Sequence, residues 1–475
     1  MGFTSNVFLF IVLPISILVY LLVNRFCSSK VKNITIILLS YIFYLWSSID
    51  TFFLFLLLSF IVYLFGQLIY LNNLKSERGS DSRKYLTFFL ILAVGYLFLS
   101  KYAVFVLSQI KLLKYFEFTL ESILVPIGVS FVIFEAVSYV VDIYRGAEPG
   151  SLLDVMLFLS MFSKIVSGPI VLWKDFVPQV KYRYTDSILV TQGINRIIIG
   201  YAKKAIIADT FGAQIQLINN VASASGVDTF TLWIKAILYF FQIYYDFSGY
   251  SDIAIGLSNI FGFKFKDNFN FPYISCSVSE FWRRWHISLG TWFREYVYIP
   301  LGGNRKGNVY FHLLVVFLLT GIWHGANWTF VVWGILNGVF VVIERFIRDK
   351  QWYRSIPLFV KWFFTICIIF FEWIIFSSSS MADAVLMICQ MFTFTGINTL
   401  NFTWKYFLSK KIVILLSIAA IGSVFDALPI KEKIEGLSST SWGSVIRYIL
   451  YIMLFVISIL FVVNSSYSPF LYFQF

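Results

Sequence analysis

The chain has 475 residues, 59% of them hydrophobic and only 13% charged, with 54 Phe, 28 Tyr and 14 Trp. Soluble domains carry roughly 25% charged residues, so a water-soluble globular protein is excluded and an all-α polytopic membrane protein is expected. The net charge of +12 does not call for nucleic acid, because the basic residues sit in short loops such as Lys75 to Lys84 (KSERGSDSRK), the pattern of loops retained on the cytoplasmic side.

The first predicted element is the apolar run 7–23, which has no basic segment before it and is followed by Arg25, Lys30 and Lys32. Its length is near the roughly 20 residues a spanning helix needs, and its flanks predict a retained span with the amino end outside, not a cleaved signal peptide. Further spans are expected at 34–49, 52–71, 85–110, 122–141, 152–167, 229–247, 308–322, 328–343, 358–377, 411–425 and 446–464. That amounts to about ten to thirteen membrane segments, several of them short or broken. The polar stretches 72–84, 172–192 and 426–446 read as loops, and residues 1–475 as a single membrane domain without an internal repeat. The four cysteines, at 27, 276, 367 and 389, lack the spacing of a redox or zinc motif. No metal is expected. Cys367 and Cys389 read as small apolar fillers, and Cys276 lies nearer the polar centre of the chain.

That centre, residues 240–306, breaks its apolar runs with Asp, Arg, Asn, Gly and Pro. Irregular backbone at membrane depth survives only where protein or water surrounds it, so a site is to be sought here. Phe241 to Gly256 (FQIYYDFSGYSDIAIG) places Asp246 and Asp252 at the end of an apolar helix, six residues apart. They share no helical face unless Ser248 and Gly249 break the helix. Two carboxylates without a histidine are a weak metal set, and the plainer reading has them capping helix ends and pairing with nearby arginines.

In the next stretch, Asn268 to Gly307, Ser277 or Ser279 can cap a helix whose Trp282, Trp285, Leu289 and Trp292 or Phe293 recur at three and four residues, with Arg283, Arg284, Arg294 and Glu295 as its charges. Such a helix is expected along the membrane interface, with His286 inside it as a structural hydrogen-bonding group or a catalyst. The GGNRKG turn puts Arg305 and Lys306 in a loop, where they either hold the topology or bind a phosphate-bearing donor.

His324, one of three histidines, lies in TGIWHGANWTF (320–330) within an otherwise apolar segment. An imidazole at that depth is costly to bury and marks catalysis or transport. Asn327, three residues on, can share its face and orient the ring. A neutral imidazole shielded from water can take a proton from an alcohol attacking an activated acyl carbon. With no GxSxG elbow and no HExxH in the chain, direct transfer fits better than a covalent or metal-assisted route.

The segments VPIGVSFVIFEAVSYVVDIYRG (125–146), QIYYDFSGYSDIAIG (242–256), FWRRWHISLGTWFREYVYIPLGGNRKG (281–307) and GIWHGANWTFVVWG (321–334) resemble the membrane-bound O-acyltransferase family, in particular its bacterial alginate O-acetyltransferase-like subgroup. The likeness runs over about residues 125–340, in the family's order, with the closing SPFLYFQF (468–475) also similar. The resemblance implies a helical membrane fold around a pore or funnel, with His324 as catalytic residue and His286 as second functional position. It further implies an acetyl group supplied by cytoplasmic acetyl-CoA, passed across the bacterial inner membrane, and a periplasmic SGNH-type partner that completes delivery to an exported polysaccharide or peptidoglycan. No bound cofactor is expected. Arg283, Arg284, Trp285, Asn327, Asp246, Asp252 and Arg305 become candidates for donor or acceptor binding.

One departure stands out. Family members often carry an FRA motif after a late tryptophan, whereas this chain reads EWIIFSSSS (372–380), with serine where the arginine would fall. A rival within the family is the D-alanyl transferase of teichoic acid modification, with a carrier-protein donor. Rivals outside it are a transporter or flippase, which predicts paired breaks in two halves, and a scaffold, which leaves His324 without a purpose.

Overall fold

The computed structural model describes residues 2–75, 80–109, 128–165, 168–394, 402–428, 436 and 440–464. Among these residues the chain is helical and contains no strand, as a bilayer demands of segments that must satisfy their own backbone hydrogen bonds. Six helices are long and apolar enough to cross a membrane: Phe8–Phe26, Ile49–Lys75, Asp81–Lys101, Trp328–Ile347, Leu358–Ser377 and Trp442–Asn464. Val309–His324 and Met381–Gln390 are apolar but shorter. The protein is therefore an all-α, multi-pass membrane protein, and the remaining predicted segments are the short, broken or more polar ones.

Several expectations change in detail. The segment 152–167 is not one span but two short helices, Leu152–Ser160 and Phe162–Ile165, parted at Met161. Ser151 and Asp154 close the first with a reciprocal capping box. The predicted loop 172–192 contains the helix Trp173–Lys181 and the start of another, Ser187–Tyr201, which runs through a π turn at Ala202–Ala208 into Asp209–Ser225. Hydropathy missed this rod because its polar side chains are satisfied by protein. Residues 122–127 of one predicted span, 76–79 of the basic loop and the closing SPFLYFQF lie outside the described residues.

The chain forms two compact units, each assembled from separate stretches. The first comprises Met1–Ile197, Ile253–Lys266 and Thr291–Pro300. Its core is aromatic, with Phe43 stacked on Phe162 at 5.7 Å and Phe134 on Trp292 at 3.8 Å, and it contains a buried Lys164–Glu135 ion pair.

The second unit comprises Ile198–Asp252, Asp267–Gly290 and Leu301–Phe475. It holds all three histidines. Val309–His324 and Trp328–Ile347 form a tight hairpin, possible because Gly321 and Gly334 face each other: a Cβ on Gly334 would meet the Phe317 carbonyl at 2.6 Å and Gly321 Cα at 3.0 Å. The first helix of the pair is started by Asn308, whose side chain accepts from the Tyr310 and Phe311 amides. It stops at His324 because Gly325 is extended, and Asn327 caps the return helix.

Candidate active site

His324 is thus the last residue of a helix, held at the turn of a glycine-welded hairpin. It is 9% exposed and boxed by three aromatic rings, Trp323 at 4.9 Å, Trp333 at 5.2 Å and Phe376 at 5.2 Å, all close to edge-on. Beyond Trp333 and Phe376 lies a slab of indoles and phenyls in which Trp373 approaches Trp285 at 4.9 Å and Trp333 at 6.0 Å. Water is kept from the ring on these sides. The carbonyl end of the helix is oriented to receive the positive charge created when this imidazole accepts a proton.

His286 does not sit inside a helix. The predicted amphipathic helix is broken into Val278–Arg284 and Ile287–Phe293, and His286 occupies the break with φ of +44°, a left-handed conformation that costs a non-glycine residue about 1 kcal/mol or more. Asn268 holds it there. This residue, 1% exposed, accepts at its side-chain oxygen from the Ser288 amide (3.1 Å), the Ser288 hydroxyl (2.9 Å) and His286 Nδ1 (3.1 Å), and its amide donates to Ser251 Oγ at 3.1 Å. A backbone N–H can only donate, so the Ser288 contact fixes which end of the Asn268 amide is oxygen and places the proton of His286 on Nδ1. His286 Nε2 is left as the basic nitrogen, with no hydrogen-bond partner among the described residues. The Trp323 indole neighbours both rings, 6.3 Å from His286 and 4.9 Å from His324.

Replacing Asn268 by Ala should lower turnover on the order of 10²-fold by releasing the His286 tautomer, while Asn268→Asp, which retains the acceptor, recovers part of it. Steady-state kinetics on detergent-purified variants with a shifted pH profile for Ala would show this. An unaltered profile and rate would mean the tautomer is irrelevant.

The acids are placed differently from the expectation. Ser248 and Gly249 do not break the helix, which runs unbroken from Thr229 to Ile260. Asp246 and Asp252 lie inside this helix, not at its ends. Gly249 lets the neighbouring rod approach so closely that an added Cβ would meet the Gly200 carbonyl at 2.8 Å. Lys204 then reaches both Asp246 at 2.6 Å and Asp209 at 2.5 Å, and Lys203 reaches Asp252 at 2.7 Å.

Other candidates also separate. Asn327 does not orient His324: it bonds the Thr329 amide at 3.1 Å and donates to the Ser379 carbonyl at 2.8 Å, tying the hairpin turn to the late helix. Trp285 belongs to the aromatic slab, not to an interfacial stripe. Arg284 pairs with Glu280 at 2.9 Å and donates to the Asn270 carbonyl at 3.1 Å, and Arg283 is exposed. Arg305 and Lys306 are exposed on a loop built around His312, whose Nδ1 lies 3.0 Å from the Gly303 carbonyl. Glu372 is no interface residue: it is 3% exposed and packs beside Asn337. Its helix nonetheless serves the site through Phe376 and Ser379. Cys389 is exposed and Cys367 partly so, so neither fills a core. Burial, and secondly Glu280, push the Cys276 thiol above its usual range, which disfavours a thiolate nucleophile.

Four residues escaped sequence reading. Asn268 is one polar residue among many in NFNFP, and nothing in spacing ties it to His286. His312 was legible only as a third histidine. Lys203 and Lys204 did leave a signal, two adjacent charges inside IIIGYAKKAIIAD, the pattern of paired intramembrane ions.

The site thus holds one imidazole caged at a hairpin turn and a second whose ring is fixed by Asn268. The sequence model for "MBOAT, membrane-bound O-acyltransferase family" matches residues 36–387, and the chain belongs to that family; it is an O-acyltransferase, not a transporter or scaffold. "Probable alginate O-acetylase AlgI" of Pseudomonas putida is 36% identical over 100% of both chains. "Peptidoglycan O-acetyltransferase" of Helicobacter pylori is 30% identical over 83% of this chain and 80% of that one. "Teichoic acid D-alanyltransferase" of Streptococcus thermophilus is 30% identical, over 49% of this chain and 60% of its own.

Proposed function

We propose that this enzyme takes an acetyl group from a cytoplasmic thioester, acetyl-CoA, and passes it across the bacterial cytoplasmic membrane for O-acetylation of an exported polysaccharide or peptidoglycan. The observation that carries this reading is His324 caged at the hairpin turn, where a base can work away from water. An acceptor hydroxyl gives its proton to His324 as its oxygen bonds to the acyl carbon; the carbon–sulfur bond breaks, and the departing thiolate takes the proton. His286, with Nε2 basic, orients the acceptor. The direct acceptor is the polymer, or an SGNH-type periplasmic partner that hands the group on.

Acetyl is favoured over D-alanyl because relatives matching over the full chain are named O-acetylases, whereas the alanyltransferase likeness covers half of it. Released thiol from purified protein given acetyl-CoA and a soluble hydroxyl acceptor tests the donor. Consumption is expected with acetyl-CoA. Activity only with an acyl-loaded carrier protein would overturn that assignment.

A further inference from the structure

A trough of about 570 Å³ lies in the second unit between the rod and the helices Lys410–Ser423 and Trp442–Asn464. Its floor is cut by short side chains on one face of the rod, Ala205, Asp209 and Ala213, whose spacing of four stacks them along the helix axis. One wall carries Lys411 from the start of Lys410–Ser423, and the other carries Leu460, Phe461 and Asn464 from the end of Trp442–Asn464. The volume lies within the roughly 300–1,000 Å³ of ligand sites.

The trough opens to lipid. Trp442–Asn464 is long and apolar enough to cross a membrane, and little of it is buried. Leu460 in the wall is 55% exposed, and Leu217, further along the rod, is exposed as well. A ligand reaching this place from the bilayer lays its hydrocarbon on Leu217 and Leu460 and brings its polar end among charged groups.

Two charges say what that polar end is. The Lys411 ammonium stacks over the Phe461 ring at 4.8 Å and forms no ion pair among the described residues. Asp209, 4% exposed, shares the Lys204 ammonium with Asp246, and the neighbouring Lys203 is taken by Asp252 at 2.7 Å. A buried carboxylate that holds half of an ammonium is stabilised by a second cation, and the unpaired lysine of the same trough by an anion. A ligand with one charge of each sign meets both needs.

We infer that the trough holds a bilayer phospholipid with a zwitterionic head, its phosphate on Lys411 and its primary ammonium on Asp209, as the chemistry of phosphatidylethanolamine supplies. A primary ammonium donates three hydrogen bonds and can bond a carboxylate; a trimethylated nitrogen cannot. The inference does not depend on the identity of the acyl donor or acceptor.

The test titrates the full chain in detergent with phosphatidylethanolamine, phosphatidylcholine and phosphatidylglycerol of identical acyl chains. Phosphatidylethanolamine should bind about tenfold more tightly than either of the others. Lys411→Gln, at an exposed position, should weaken all three, whereas Asp209→Asn should erase only the preference for phosphatidylethanolamine. Ala213→Trp, which fills the floor from an exposed position and touches no charge, should block all three. Equal affinity for the three heads, a preference that survives Asp209→Asn, soluble phosphoethanolamine competing at the same concentration as the lipid, or polypeptide filling the trough in a structure of the protein overturns the inference. Should Asp209→Asn fail to fold, phosphatidylethanolamine binding unaltered by both Lys411→Gln and Ala213→Trp overturns it equally.

Discussion

His324→Ala should reduce acyl transfer by about 10²–10⁴-fold, the usual worth of a positioned general base, without changing membrane insertion or helix content. The ring touches its neighbours through aromatic edges, Trp323, Trp333 and Phe376, so its loss leaves a small apolar void in a slab that Trp333, Trp373 and Trp285 continue to hold. Gel-filtration profile and circular dichroism should match the wild type while ester formation is lost. A variant that keeps its rate would remove His324 from the chemistry. One that aggregates would instead identify it as a packing residue, and His324→Gln, closer in shape and unable to take a proton, decides between the two.

The largest stability effect should come from Lys204. It is 1% exposed and lies between two buried carboxylates, Asp209 and Asp246. Lys204→Ala removes the ammonium the two share, and removing one side of a buried ion pair costs about 3–5 kcal/mol, enough to unfold a marginal protein. Detergent-solubilised Lys204→Ala should melt well below the wild type. Adding Asp209→Asn and Asp246→Asn should restore much of the loss, since removing all the charges together is far less costly than leaving some unpaired. No change in melting on Lys204→Ala would show the cluster to be energetically idle.

His286 and His324 could be singled out from the chain because a titratable ring in apolar sequence has no cheap structural explanation. Their supports could not. Asn268 acts through a loop that brings residues eighteen apart onto one hydrogen-bonded oxygen, and no helical period encodes that. Sequence periodicity also failed at Trp285–His286, where a stripe of tryptophans at helical spacing conceals a break: the aromatic slab holds Trp282 and Trp285, and Asn268 holds the kink. Conversely, Ser248 and Gly249 look like a helix breaker and are not one, because Gly249 serves close helix packing instead. The rod Ser187–Ser225 was missed for a related reason: its charges are paid by partner side chains in the fold, which hydropathy cannot see. The spans Ile49–Lys75 and Leu358–Ser377, whose outer faces meet lipid, were the easiest to read.

In the proposed reaction His324 joins a donor on one face of the membrane to an acceptor on the other. It is tested most directly in sealed vesicles of one orientation, with labelled acetyl-CoA on the side of the Arg305–Lys306 loop and hydroxyl acceptor only on the opposite side. Labelled ester should accumulate on the acceptor side with wild-type protein and not with His324→Ala. Ester that forms only when donor and acceptor share a side, or that forms equally without His324, would contradict the account.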